Sequence, residues 1–312
     1  MASENAQGRT GQVLVRPAAL HELTDHLCLQ VERREEVRVW DMSGVERLHC
    51  GRGHTAILKY AVAEFAIEPV VLRHAAAHGV PVPMVGASTI QPDGSMVMIM
   101  EDLGPQTRQA DLKDAASAAA AIHACPALPG RPIVDSARLA SLPGLSLGWL
   151  RALQTEQRWL RAQEIEDGLT RLARVARQRA QGAQMPPYGM CHSEFHPTSL
   201  YISDRGTHVL DWARAFTGPG LLDLVSWQGT PKPLDLPAVA ELIDAYVTAG
   251  GPPSALAARG GLPAHVWASG WFKLWIVEWF LQMTYQRADP ENDDDAQRAI
   301  GRHLDEAVQC LS

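Results

Sequence analysis

The stretch CHSEFHPTSLYISDRGTHVLDWARAF, residues 191–216, gathers His192, Glu194, His196 and Asp211 around short apolar runs. His192, Glu194 and His196 alternate, so in an extended segment they share one face. Three such donors raise a zinc site, but zinc favours sharper spacing with a further ligand, and Pro197 ends the segment at once. Asp211 closes an apolar run, which suits a hard cation such as Mg²⁺, with Glu194 and Ser199 on the facing loop. The plainer reading of Asp211 is a helix N-cap or a turn former. A second charged residue stands out far upstream. Lys59 ends the apolar run TAIL, just after Gly51 and Gly53. It is either a rim lysine reaching water or a buried ammonium with a carboxylate partner, and Glu64 and Glu68 both follow within reach.

These residues need elements to hold them. Pro17 opens a helix, PAALHELTDHLCL. Strand-like pieces follow as EVRVWDM, GVERLHC and TAILKYA, the last two joined by GRGH. A helical stretch over about 62–79 precedes VPVPMVGAS and SMVMIMEDL, the latter reached through the turn QPDG. Val, Ile and Met strands with Gly-bearing turns predict a small, mostly antiparallel sheet carrying one helix. After EDLG the chain turns helical: an Ala-rich helix near 111–128, a helical stretch over 145–182, the strand-turn-strand element of 191–216, and helices from about 221 to 311. The boundary falls near residue 103, giving a polar tail over 1–14, a sheet lobe over 15–103 and a helical lobe over 104–312.

Composition narrows the class. The chain has 312 residues, 46% of them hydrophobic, and a formal charge of −7. That is enough for a sizeable core and about two lobes. No basic run or patch argues for nucleic acid, and no apolar run spans a membrane. The first residues lack an apolar signal region, and five scattered cysteines form no CxxC pair, so a reducing cytoplasm is the expected setting. Trp267, Trp271, Trp275 and Trp279 recur every fourth residue on one helix face. The plain reading is a core stripe; the sharper one makes the first or last a wall of an acceptor site.

A strand lysine paired to a helix glutamate under a Gly-bearing hairpin is the apparatus with which protein kinases hold the α- and β-phosphates of ATP. HSEFHPTSL followed by VLDWARAFTGPGLLDL resembles the signature of the aminoglycoside phosphotransferase and choline kinase family. That signature runs H-G-D-x-H-x-x-N, a hairpin, an I-D-W strand end, then G-D-P-x-x-D-L. EPVVLRHAAAHGVPVPMV resembles its helix after the lysine strand, MVMIMEDLG its strand into the adenine hinge, and AAIHACPAL the helix beyond. The resemblance covers roughly 45–125 and 185–230.

The resemblance implies an α+β, bilobal protein-kinase-like fold, with a small antiparallel-sheet N-terminal lobe and a larger, mostly helical C-terminal lobe. It implies that Lys59 binds the inner phosphates and that Glu68, rather than Glu64, orients it. Gly51 and Gly53 would belong to the phosphate loop. Met98 to Asp102, with Met100, Glu101 and Asp102 foremost, would line the adenine pocket. Asp211 and Ser199 would hold Mg²⁺, Glu194 would be the catalytic base, His192 would pack beneath the loop, and Asp223 would brace it.

Two positions depart from the family. The base, usually Asp, is Glu194, and the second metal ligand, usually Asn, is Ser199. Displacing a catalytic group by about 1 Å can cost on the order of 100-fold in rate. Three readings therefore stand: an active kinase whose loop suits Glu194, a slow one, or a pseudokinase scaffold. The expectation is an active phosphotransferase using ATP or GTP with Mg²⁺ on a hydroxyl, since the charged groups that matter most are kept. The acceptor is a small molecule such as an aminoglycoside-like or natural-product compound. The alternatives are a Ser or Thr of a biosynthetic precursor peptide, with a pathway protein as partner, or a scaffold without turnover. The acceptor is expected between the catalytic loop and the helices of 131–184.

Overall fold

Alternation along TAILKYA explains the first half of the chain. In the computed structural model, which describes residues 15–287 and 290–312, this segment is the central strand of a sheet. The expected tail over 1–14 lies outside the described residues. The elements in order are α1 (Pro17–His26), β1 (Val31–Val39), β2 (Ser43–Cys50), β3 (Thr55–Ala61), α2 (Glu68–Ala77), β4 (Val85–Ile90) and β5 (Met96–Glu101). The strands form one antiparallel sheet in the order β1-β2-β3-β5-β4. Side chains alternate between faces, and here each face is covered. Ala56, Leu58 and Tyr60 of β3 pack with Val97, Ile99 and Leu48, and with Leu23 of α1. Lys59 therefore projects from the opposite face, opposite Met98 of β5 and Val45 of β2. β1 starts at Val31 rather than at Glu36, and Trp40 to Met42 form the turn into β2 rather than the end of a strand. β1 is an edge strand, and Glu32, Arg33, Arg34 and Glu36 on it are exposed.

The helical part continues with α3 (Leu112–Ala124), α4 (Ser136–Thr155) and α5 (Gln163–Arg179), then strand β6 (Tyr188–Cys191). Asp111 and Asp114 close a reciprocal capping box on α3, satisfying amides at its first turn. The helix expected over 145–182 is two helices. The first starts nine residues earlier because Asp135 caps it, accepting from the Arg138 amide at 2.8 Å. Pro143 lies inside α4, where it removes one backbone donor and hides the helix from a propensity reading. The hairpin β7 (Leu200–Ser203) and β8 (Gly206–Val209) follows, then β9 (Phe216–Pro219), α6 (Leu221–Ser226), α7 (Leu236–Thr248), α8 (Ala264–Arg287) and α9 (Asp293–Leu311). β6 pairs with β9, and β7 with β8. The stretch 191–216 thus serves two separate ladders.

By packing, the chain divides into two units. The first holds the described residues up to Gln109 and takes back Leu200–Arg214, the hairpin segment with Asp211. The second holds Ala110–Ser199 and Ala215–Ser312. In the second, Trp267 and Trp271 of α8 are fully buried, and both indole N–H groups donate to the Arg179 carbonyl, at 2.6 and 3.2 Å. This half of the Trp stripe is core; Trp275 and Trp279 are half-buried, with Trp275 edge-on to Phe216. No helix among the described residues is long and apolar enough to cross a membrane.

Candidate functional site

In the first unit the charged residues converge on Lys59. Its ammonium donates to Glu68 Oε1 and to Asp211 Oδ1, each at 2.7 Å. The lysine side chain is 9% exposed and the Glu68 side chain 2%, whereas Asp211 remains 34% exposed. Burial by itself pushes the Lys59 ammonium toward its neutral form, but the Glu68 and Asp211 carboxylates outweigh it and raise its pKa above the usual lysine value. Glu68 stands in the first turn of α2, where the helix dipole favours a carboxylate. Its Oε1 also accepts the Trp212 amide at 3.1 Å, which ties the backbone beside Asp211 to the same carboxylate. Asp211 lies two residues past β8 with φ 63°, a left-handed conformation that a non-glycine residue adopts at a cost.

The residues expected to line an adenine pocket take separate places. Met100 lies two residues beyond Met98 on β5, so it shares the Lys59 face, and it is half-buried. The Glu101 amide donates to Met84 O at 2.9 Å, and its carboxylate pairs with Arg205 at 2.6 Å. Asp102 is held by Arg47 at 2.8 Å and accepts the Gly104 amide at 3.0 Å. Burial raises the pKa of Asp102, but Arg47 and that amide win and leave it below the ordinary value.

Gly51 and Gly53 are not brought to this cluster. They form the turn at the far end of the β2–β3 hairpin, where His49 faces Thr55. Lys59 lies six residues beyond Gly53, roughly 20 Å along an extended strand. The sheet turn nearest Lys59 is Trp40 to Met42, a segment that reads as strand in the sequence, because Arg38 of β1 faces Val45 and Val45 faces Lys59. Gly44, just after that turn, must be glycine: a Cβ there would lie 2.2 Å from the Tyr60 ring. The signal that could have found the turn is the DMS segment between two alternating runs.

In the second unit the loop after β6 is bent rather than extended, so the alternation of His192, Glu194 and His196 does not place them on one strand face. Asp223, buried in the first turn of α6, fixes the loop. Its carboxylate accepts the His192 amide at 2.6 Å and the Ser193 amide at 2.9 Å. His123 of α3 lies 3.4 Å from the same carboxylate and 3.2 Å from the Tyr246 hydroxyl. Gly220 leaves room for that ring, since a Cβ would stand 2.7 Å from it. His123, Cys191 and Asp223 bring three metal-capable atoms within 4.8 Å of one another. Their donors are committed to the loop network, and the Cys191 thiol, 3.3 Å from Gly218 O, is pushed well up in pKa by burial.

His192 is fully buried and edge-on to Phe195, whose carbonyl accepts from Ser226 at 2.7 Å. Glu194 is half-buried. Ser199 is buried, and its hydroxyl donates to the Glu194 carbonyl at 2.5 Å. That bond ties Ser199 to Glu194's backbone, while a cation would be met by the oxygen's lone pairs, which donating the proton leaves in place. The structure also exposes a third departure from the family pattern, at the position where the motif has Gly. Ser193 has φ 81°, in the left-handed region that favours glycine.

Comparison with known proteins draws on the whole chain. No curated protein is similar enough in sequence to register as a match. Among solved structures, the choline kinase LicA from Streptococcus pneumoniae superposes with TM-score 0.62 at 12% identity, over 93% of this chain and 97% of that one. The macrolide 2'-phosphotransferase MphH from Brachybacterium faecium gives 0.58 at 18%, over 90% and 97%. A thermostable mutant of the aminoglycoside phosphotransferase APH(4)-Ia, in ternary complex with ADP and hygromycin B, gives 0.59 at 16%, over 93% and 97%. At such identities these likenesses establish the protein-kinase-like fold and nothing finer. The sequence profile of the phosphotransferase enzyme family matches residues 54–262, about two thirds of the chain, and the matched span runs from just before Lys59 to beyond Asp223. On that match and the shared fold, the chain belongs to the phosphotransferase enzyme family.

Proposed function

We propose that the chain transfers the terminal phosphoryl group of ATP or GTP, with Mg²⁺, to a hydroxyl of a small molecule of the aminoglycoside-like or natural-product type. The observation that carries this is the buried Lys59 held between Glu68 and the partly open Asp211. A buried ammonium with one pinned and one accessible carboxylate has charge to offer a phosphate once the accessible partner turns away. Support comes from family membership and from a relative of the same fold that carries ADP and hygromycin B.

The residues present fit a magnesium ion. Mg²⁺ is commonly held through one or two carboxylates together with substrate phosphates, and Asp211 supplies an accessible hard oxygen. When bound, the ion neutralises charge on the outer phosphate oxygens. In this reading Lys59 binds the inner phosphates and Glu68 keeps it from swinging away. Glu194 accepts the acceptor hydroxyl's proton as its oxygen attacks the phosphorus and the nucleoside diphosphate leaves. Asp223 and Ser199 fix the loop that presents Glu194, through the His192 and Ser193 amides and the Glu194 carbonyl.

The test is Mg²⁺-dependent phosphoryl transfer by the full chain to a panel of aminoglycosides, macrolides, choline and polyols, beside Asp211→Ala and Glu194→Gln. Wild-type turnover that falls by at least about 100-fold in both variants is the expected result. Nucleotide binding without turnover on any acceptor would overturn the enzyme reading in favour of a scaffold.

A further inference from the structure

The reading above gives Lys59 to the inner phosphates and leaves the outer ones without a side-chain partner. Phosphate loops that work through backbone amides rely on glycine, so that the chain can approach the anion closely. The turn nearest Lys59, Trp40 to Met42, has no glycine, and Gly44 beyond it is used up by the Tyr60 ring. What that turn does have beside it is Arg38. Arg38, Val45 and Lys59 lie opposite one another on three successive strands. Opposite residues share a face, and strands are about 4.8 Å apart, so Arg38 and Lys59 stand on one face about 10 Å apart. Arg38 Nη2 is 3.8 Å from Asp211 Oδ2, while Lys59 holds Oδ1. Its guanidinium lies 5.4 Å over the ring of the exposed Trp40, a cation–π contact that narrows its rotamers. The side chain is 53% exposed, so its donors are open to a ligand.

We propose, resting on the nucleotide-transfer reading, that Arg38 is a second phosphate-binding residue that takes the outer phosphates of the nucleotide. Lys59 and Arg38 share one carboxylate, and phosphate oxygens compete for both cations. A guanidinium fork can hold two phosphate oxygens at once, which a lysine cannot. The side chain thus replaces a backbone cradle that this turn cannot form, and the Trp40 stack presets its direction.

Isothermal titration calorimetry of the full chain tests this, with MgATP and MgGTP as ligands and AMP and GMP, which lack the outer phosphates, as controls. Arg38→Gln should weaken the preferred triphosphate about tenfold and leave the matching monophosphate unchanged. Arg38→Lys should fall between, keeping the charge but not the fork. Triphosphate affinity in Arg38→Gln equal to wild type would overturn the proposal while leaving the nucleotide reading intact. An equal loss for both ligands would make Arg38 a structural residue and overturn it too. A wild-type chain that binds no triphosphate would overturn both readings together.

Discussion

Lys59 on β3 and Lys273 on α8 are both buried lysines paired to a glutamate, at 2.7 and 2.8 Å. The chain has only four lysines, so the pairing of two buried ones invites comparison. Lys273 is 2% exposed, and its partner Glu306 is closed on the other side as well, accepting the Leu234 amide at 2.9 Å. His303 lies 3.4 Å from the same carboxylate. Lys273 and His303 are buried, and Glu306, 13% exposed, is committed to three partners, so the network ties α8, α9 and the segment before α7 together and is far less open than Asp211 at 34%. Lys59 shares the burial but has a second, accessible carboxylate in Asp211 and a second cation, Arg38, beside it. Burial and ion pairing are common to both; the accessible second carboxylate is what sets Lys59 apart and what the proposed phosphate role rests on.

The sharpest way to break this comparison is to remove each ammonium in turn. Lys59→Met should lower phosphoryl transfer by about 100- to 1,000-fold, measured by steady-state kinetics on a folded protein. Lys273→Met should instead cost about 3 kcal/mol of stability by chemical denaturation, because Glu306, only 13% exposed, loses its cation, while triphosphate affinity stays at the wild-type value. Equal losses of turnover in both, measured where both are folded, would erase the distinction.

The acid limb sharpens it further. Burial, then the Lys273 and Arg302 charges, push the His303 pKa down to about 4 from its ordinary value. The unfolded chain therefore takes up the His303 proton at higher pH than the folded one. Stability is full above about pH 6.5 and declines as pH falls toward 4. Thermal midpoints measured between pH 7.5 and 4.5 should fall, and His303→Gln should flatten part of that slope. Lys59, whose pKa is raised, keeps its charge throughout this window and contributes nothing to the slope.

The smallest expected effect lies in the catalytic loop. Ser193→Gly relieves a left-handed backbone and should stabilise the chain by about 0.5–1 kcal/mol, read by denaturant unfolding. A destabilised variant would mean the Ser193 side chain contributes more than its backbone costs.

The sequence shows some of this directly and hides the rest for physical reasons. β3 and β5 are readable because strands buried on both faces give unbroken apolar runs, and Lys59 stands out against that background. The Gly51–Gly53 turn reads as a phosphate loop in the sequence because glycine content reveals a turn but not which end of the sheet faces the lysine; that requires register, which pairing sets. Ser199 resembles a ligand by position, and its second task, the hydrogen bond to Glu194 O that closes the loop, has no sequence signal. Ser193 does have a sequence signal, since it stands where the family motif has Gly, but its positive φ and the Asp223 bond to its amide appear only in the structure. α4 looks shorter in the sequence than it is, because Pro143 and Gly144 imitate a break that the Asp135 cap and the packing of Leu139, Leu142 and Leu150 override.

The outermost strand has a consequence of a different kind. A sheet edge leaves a row of backbone donors and acceptors open to pairing with any passing chain. Along β1, Glu32, Arg33, Arg34 and Glu36 stand exposed, and Arg34 is locked to Glu46 of β2 by two bonds of 2.6 and 2.8 Å. A copy adding itself there would have to strip water from these charges and set like against like. Charge along β1 thus opposes the addition of a sixth strand at this edge, while Lys59 stays buried in the sheet's covered face and Arg38 stands open beside it.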